Sequence, residues 1–315
     1  MRAFRIAYDG TPYHGFQRQP TVPTVEDSIF DGLQRLGVLP DDVDKPQRYT
    51  AAGRTDAGVS ALAQTIAFEA PDWLTPRAMN AELPEAIRAW AMADVPEDFH
   101  ATHLATERTY TYHLFAPRAA DSDGAVPCDD GGDGECGTVL DDAGSIDDTD
   151  SVDDSVSVDD SVSVDDERFV AALDALSGEH DFHNLTPDDR GTTRTIALDA
   201  TRDGPFLVVS VTAGGFAREL VRRLVSLAHA VGAGTEPLEK VDRVLSPEPL
   251  PGHEGIAPAP PEPLVLTRVA YPDLAFEVDE RAASTARSIF EMRRRRHAVG
   301  ERVSRGLRNG LGQYM

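Results

Sequence analysis

The sequence predicts an α+β protein. Each half of the 315-residue chain alternates short strand-like runs with single amphipathic stretches of helical period. Its 41% hydrophobic content suffices for a core, and no apolar run approaches the ~18 residues of a membrane span. Alternation of this kind favours antiparallel or mixed sheets with helices on one face.

The elements follow in chain order. Residues 4–8 read as the first strand. Val25, Ile29, Leu33 and Leu36 then recur at helical spacing, with Thr24 placed to cap the helix and Gly37 to stop it. Strands are predicted at 49–54, 65–68, 89–95 and 108–115. The second half opens with a helix at 169–176, followed by strands at 195–201 and 206–212. A helix at 216–231, a short one at 238–245 and a strand at 264–271 complete it. Residues 281–308 read as a basic helix carrying Arg293 to Arg296. The expected organisation is an N-terminal half (1–118), an insert (119–166), a C-terminal half (167–275) and a basic extension (276–315).

The insert is acidic and of low complexity. The chain carries 54 acids and 30 bases, a net of −24, but residues 121–167 hold 18 of the acids and no Lys or Arg. The remaining 36 acids against 30 bases leave only −6, so the acidity belongs mostly to one segment. Mutual repulsion and a lack of large apolar side chains predict a disordered loop there. With two lysines among the 30 bases, the Asp-rich, Arg-over-Lys balance is that of a protein adapted to concentrated salt. Cys128 and Cys136 are too few for a disulfide framework and fit a reducing compartment. Asp9 interrupts any secretory apolar region, which predicts a soluble cytoplasmic protein.

Chemistry concentrates in Gly53-Arg54-Thr55-Asp56-Ala57-Gly58-Val59, a polar loop between two glycines directly after a predicted strand. Glycines permit a tight path that holds one carboxylate at a cleft. The loop lacks the Gly-Lys-Ser ending of a phosphate-binding loop, so nucleotide hydrolysis is not indicated. On the 216–231 helix, Phe216, Leu220, Leu224, Leu227 and Val231 form an apolar stripe, while Arg218, Arg222, Ser226 and His229 share another face. Arg108, Tyr110 and Tyr112 alternate along a strand and therefore project to one side.

The loop, together with residues 8–19 (Tyr-Asp-Gly-Thr-Pro-Tyr-His-Gly-Phe-Gln-Arg-Gln), residues 107–112, Phe99-His100-Ala101, His180-Asp181-Phe182 and residues 216–234, resembles the TruA family of tRNA pseudouridine synthases. The resemblance covers nearly all of residues 1–275 outside the insert. It implies two related halves around a catalytic cleft, a homodimer, and isomerisation of uridine to pseudouridine in the tRNA anticodon stem-loop, at uridines 38 to 40, with no metal or cofactor. By the same resemblance Asp56 is the catalytic aspartate and Arg222 the cation that keeps it ionised. Tyr110 lies against the target base and assists proton removal from its ring carbon. Arg54 helps hold the flipped nucleotide, and Arg108, Tyr112 and Arg218 are expected to contact RNA. Ser60 stands where many relatives have histidine, and Leu220 where they have methionine.

The residues admit three other readings. His100 with His103, and His180 with His183, have a zinc-like spacing but no cysteine partners in the ordered halves. An RNA-binding module without chemistry would survive loss of Asp56. A glycoside hydrolase needs a second carboxylate across the scissile bond, and none is evident. For the basic extension, a clamp on tRNA and a solvated helix paired with the insert both remain open.

Overall fold

The computed structural model describes residues 1–118 and 162–311. The fold is α+β. Its strands in chain order are β1 (Arg2–Tyr8), β2 (Thr50–Ala51), β3 (Ser60–Phe68), β4 (Ile87–Asp94), β5 (Glu107–Phe115), β6 (Gly178–Asp181), β7 (Thr193–Asp203), β8 (Phe206–Ala213), β9 (Leu264–Ala270) and β10 (Glu277–Val278). The helices are α1 (Val25–Arg35), α2 (Pro76–Asn80), α3 (Asp166–Leu176), α4 (Leu220–Gly232), α5 (Glu239–Leu245) and α6 (Glu280–Leu311).

All these strands join one mixed sheet, ordered β10-β4-β1-β3-β9-β5-β8-β7-β6, with β2 paired to β3 off that path. Both halves thus contribute to a single sheet. The join between β3 and β9 is its parallel pairing, only two residue pairs long: Ser60 with Val265 and Ala61 with Leu266. It sits at the start of β3, directly after the polar loop. A short join at a strand's first residues leaves the loop before it free to form the wall of a cleft.

Alternation along β5 buries Arg108, Tyr110, Tyr112 and Leu114. Leu207, Val209, Val211 and Ala213 of the adjacent β8 are buried in the same alternating way. Helix α4 buries the predicted Leu220, Leu224, Leu227 and Val231, and α3 packs against both α4 and β7. Thr24 caps α1 as expected, its hydroxyl accepting the Asp27 N–H at 3.2 Å, and Gly37 follows the helix with φ of +70°.

Several boundaries differ, each for a local reason. The predicted strand at 49–54 shrinks to β2, because the Gln64 side-chain amide takes the Gly53 carbonyl at 2.9 Å and the chain leaves the sheet there. The predicted helix at 216–231 starts four residues late. Glu219 has φ of +61°, a left-handed conformation that cannot continue a right-handed helix, so residues 216–219 form a loop. Short elements α2, β6 and β10 escaped the periodicity reading, being under six residues each.

Most of the acidic insert, including both cysteines, lies outside the described residues. Its last residues belong to the fold. Val164 is buried and donates its N–H to the Pro117 carbonyl at 3.0 Å, and Asp165 caps α3 by accepting the Glu167 and Arg168 N–H groups. Asp166 pairs with Arg118 and Arg202. Pro117 and Val164 therefore lie side by side in the fold. Among the described residues no helix is long and apolar enough to cross a membrane.

Candidate active site

A cleft of about 2590 Å³ is bounded by the 53–59 loop, the 214–223 segment and Pro260, Pro261 and Leu264 beside the parallel join. Small-molecule pockets rarely exceed ~1,000 Å³. A space this size suits part of a macromolecule.

The loop is held from beneath. Thr55 is buried, and its hydroxyl hydrogen-bonds the buried Tyr8 hydroxyl at 2.8 Å. The Phe16 N–H donates to the Thr55 carbonyl at 3.1 Å and the Gly58 N–H to the Tyr13 carbonyl at 3.1 Å, so residues 10–16 brace it. A Cβ on Gly10 would lie 2.0 Å from the Val59 carbonyl oxygen, so only glycine lets these two segments touch. Of the bracketing glycines only Gly58 is conformationally required, with φ of +79° and Pro261 against it; a Cβ on Gly53 would meet nothing closer than 3.9 Å. Ser60 accepts the Gly10 N–H at 3.0 Å, which gives this residue a bracing role.

Asp56 faces the cleft, its side chain 33% exposed. Burial pushes its carboxyl above the ordinary aspartate range, opposed by the Arg222 guanidinium and reinforced by the Glu219 carboxylate. Arg222 Nε lies 3.6 Å from Asp56 Oδ2, an ion pair too long for a hydrogen bond. The Arg222 side chain is only 11% exposed, and among the described residues its Nε has no hydrogen-bond partner. One Nη instead donates to the Ala259 carbonyl at 2.9 Å. Arg222 thus turns into the cleft wall, and the helix face that carries it is not a solvent face; His229 on that face is buried as well.

Tyr110 completes the cluster. It is buried, and the Phe216 ring meets it edge-on at 5.2 Å. Burial first, then the Asp56 charge, hold its phenol far above the ordinary tyrosine range. The hydroxyl therefore stays protonated beside the carboxylate.

The other expected contacts divide. Arg54 is exposed on the cleft wall and makes no hydrogen bond or ion pair among the described residues, so its fork is available to a phosphate. Arg218 lies on the 216–219 loop rather than on α4, pairs with Asp188 at 3.5 Å and keeps most of its side chain in solvent. Arg108, expected to contact RNA, borders the cleft but turns its donors inward. It is 8% exposed, and its guanidinium donates to the carbonyls of Ala52 (2.7 and 3.1 Å), Thr102 (2.8 Å) and Gly214 (2.6 Å). Tyr112, also expected to contact RNA, is 1% exposed, and its hydroxyl donates to the Pro260 carbonyl at 3.0 Å. Both project to the same side as Tyr110, but the backbone satisfies them. The His100 and His103 rings lie 4.0 Å apart, tilted by 37°, and His180 hydrogen-bonds the Ser177 carbonyl.

Sequence reasoning does not reach Glu219 and Phe216 as cleft residues. Periodicity places Phe216 in the helix's apolar stripe, and nothing in the sequence announces a left-handed glutamate. Glu219 Oε1 lies 3.9 Å from an Arg222 nitrogen and Oε2 2.6 Å from Arg223, so it competes with Asp56 for the same cation.

A family model described as tRNA pseudouridine synthase matches residues 172–272. The chain is 55% identical to tRNA pseudouridine synthase A of Haloarcula marismortui, over 99% of this chain and 100% of that one. The corresponding protein of Natronomonas pharaonis is 50% identical over 98% of each chain. That of Halobacterium salinarum is 48% identical over 96% of this chain and 97% of its own. With identity and coverage of that order, the chain belongs to the tRNA pseudouridine synthase A family.

Proposed function

We propose that the chain isomerises uridine to pseudouridine in the anticodon arm of tRNA, with Asp56 as the catalytic carboxylate. The observation that carries this reading is the convergence of Asp56, Arg222 and Tyr110, from three distant stretches of sequence, in one cleft. The reaction breaks the bond between the ribose C1′ and uracil N1 and makes one from C1′ to C5. The C5 proton is lost and N1 gains one, so atoms balance without a co-reactant.

A uracil stacked in the anticodon arm is out of reach until it is flipped, at a cost of a few kcal/mol. Tyr110, wedged by Phe216, offers an aromatic surface and a protonated hydroxyl to the extruded base. Arg54 grips the displaced backbone. Whether the carboxylate attacks the ribose, attacks the ring or removes a sugar proton, it must be ionised, and Arg222 counters the burial that would otherwise keep its proton on. The active form is a cytoplasmic homodimer working in concentrated salt, where a Debye length of only ~3 Å at ~1 M screens the acidic insert from the phosphates.

The test is incubation of anticodon-arm RNA with the protein in molar potassium chloride, followed by detection of pseudouridine as its carbodiimide adduct. Wild type gives the adduct and Asp56→Asn does not. Equal signals from the two, or release of free uracil, would overturn the proposal.

A further inference from the structure

Helix α6 spans 32 residues, about 48 Å at 1.5 Å per residue, yet buries only Ala282 and Ala286. Its root packs on α2 and β4, and Arg293 pairs with Asp9. Asp9 also accepts the Thr11 N–H at 3.0 Å, and Thr11 lines the cleft. The helix is therefore tied to the rim of the active site and runs on from there into solvent.

Charge along it is strongly one-sided. Eight arginines lie between 287 and 308 against Glu291 and Glu301, in a chain that is acidic elsewhere. At 100° per residue, Arg287, Arg294, Arg295, Arg302, Arg305 and Arg308 share an arc of about 140°, and all six are exposed. Glu291 is occupied by Arg294 and Arg295, and Glu301 by Arg305. Arg287, Arg302 and Arg308 make no ion pair among the described residues. The opposite side carries exposed Met292, Val299, Val303 and Leu307, but Arg296, Gly300 and Gly306 interrupt it, and pairing two such helices would bring like charges together. The charged face is the more coherent of the two.

We propose that α6 is an RNA-binding arm, whose arginine face lies along the phosphate backbone of the same tRNA whose uridine occupies the cleft. This deepens the proposed function and rests on it. The arm adds contacts outside the reacting nucleotide, so it acts on capture of substrate and not on the bond exchange. Phosphate contacts of this kind carry no base sequence, and each releases counterions.

The experiment compares wild type with Arg302→Gln/Arg305→Gln/Arg308→Gln in the full chain. Glutamine keeps helix propensity near that of arginine, and circular dichroism verifies that the fold is kept. On full-length tRNA the triple variant should raise KM at least about fivefold at ~0.2 M potassium chloride, narrowing to under about twofold at ~2 M, with kcat unchanged. Over that tenfold range of salt the slope of log KM against log salt should fall by at least about 0.4. A second variant on the other side, Val303→Ser/Leu307→Ser, should leave KM and sedimentation unchanged. An arginine variant with wild-type KM at every salt overturns the arm. So does dissociation of a dimer by the apolar variant with loss of tRNA affinity, which would make a second copy the occupant. No adduct from wild type itself would instead refute the function, a result distinguishable from either.

Discussion

Two regions meet at the cleft and treat their polar side chains in opposite ways. The 53–59 loop buries Thr55 as an anchor and leaves Arg54 and Asp56 facing the cleft. Strand β5 sends Arg108, Tyr110 and Tyr112 to one buried side, where backbone carbonyls occupy the donors of Arg108 and Tyr112. Sharing a side with a functional residue is therefore weak grounds for sharing its function. A loop can present a polar group without burying its backbone, whereas an inward-facing polar residue on a central strand must find a partner or destabilise the fold.

The largest effect that separates the regions is on Asp56. Asp56→Asn should lower turnover at least ~100-fold, the low end for a positioned acid–base group. The same change should not cost stability. Because burial raises the folded-state pKa above the unfolded value, ionised Asp56 disfavours folding above that raised pKa, and the difference vanishes in acid where both states are protonated. Thermal unfolding at neutral pH should give the Asn variant an equal or higher Tm. A lower Tm would show that the loop, like the strand, is built for structure.

Next comes Arg108. Arg108→Met strands the carbonyls of Ala52, Thr102 and Gly214 in the interior and should cost about 2–4 kcal/mol of stability. Below the unfolding transition, kcat and KM should change by less than about threefold. If KM for tRNA rises tenfold with stability intact, Arg108 reaches RNA after all and the comparison fails.

How much of this was legible beforehand follows the same division. The capped helix α1, the strands β1, β4, β5, β7 and β8 and the stripe on α4 follow from periodicity and end signals, because burial on one side imposes a period. Asp56, Arg222 and Tyr110 came from a resemblance of motifs, and their meeting in one cleft depends on contacts 54 and more residues apart in sequence. What was not legible is how donors are used. The Arg108 fork and the Tyr112 hydroxyl look alike to a pattern whether they face RNA or a carbonyl. The left-handed turn at Glu219, which takes Phe216 and Arg218 off the helix, has no local signature, since glutamate is not a residue that favours φ above zero.

Arg54 gives a smaller contrast. With no partner to lose among the described residues, Arg54→Ala should alter stability by no more than about 0.5 kcal/mol. Losing a charged contact to the backbone should raise KM about fivefold at moderate salt, with the effect shrinking as salt rises. Equilibrium unfolding and steady-state kinetics on one preparation measure both.

The smallest effect sharpens the comparison most, because it concerns the charge around Asp56 rather than its presence. Glu219 holds a left-handed backbone at the head of α4, a conformation that costs on the order of 1–2 kcal/mol for a residue with a Cβ. In return its carboxylate sits between Arg222 and Arg223, beside Asp56. A second negative charge there raises the Asp56 pKa, so Glu219→Gln should lower it. Under the proposed function, activity requires ionised Asp56 and is lost as pH falls through its pKa. The acid limb of the kcat/KM profile should therefore move to lower pH in Glu219→Gln, with little change on the plateau. Arg222→Gln should move the same limb to higher pH, since it removes the opposing charge. Should both variants shift the limb the same way, the ionisation being followed is not that of Asp56.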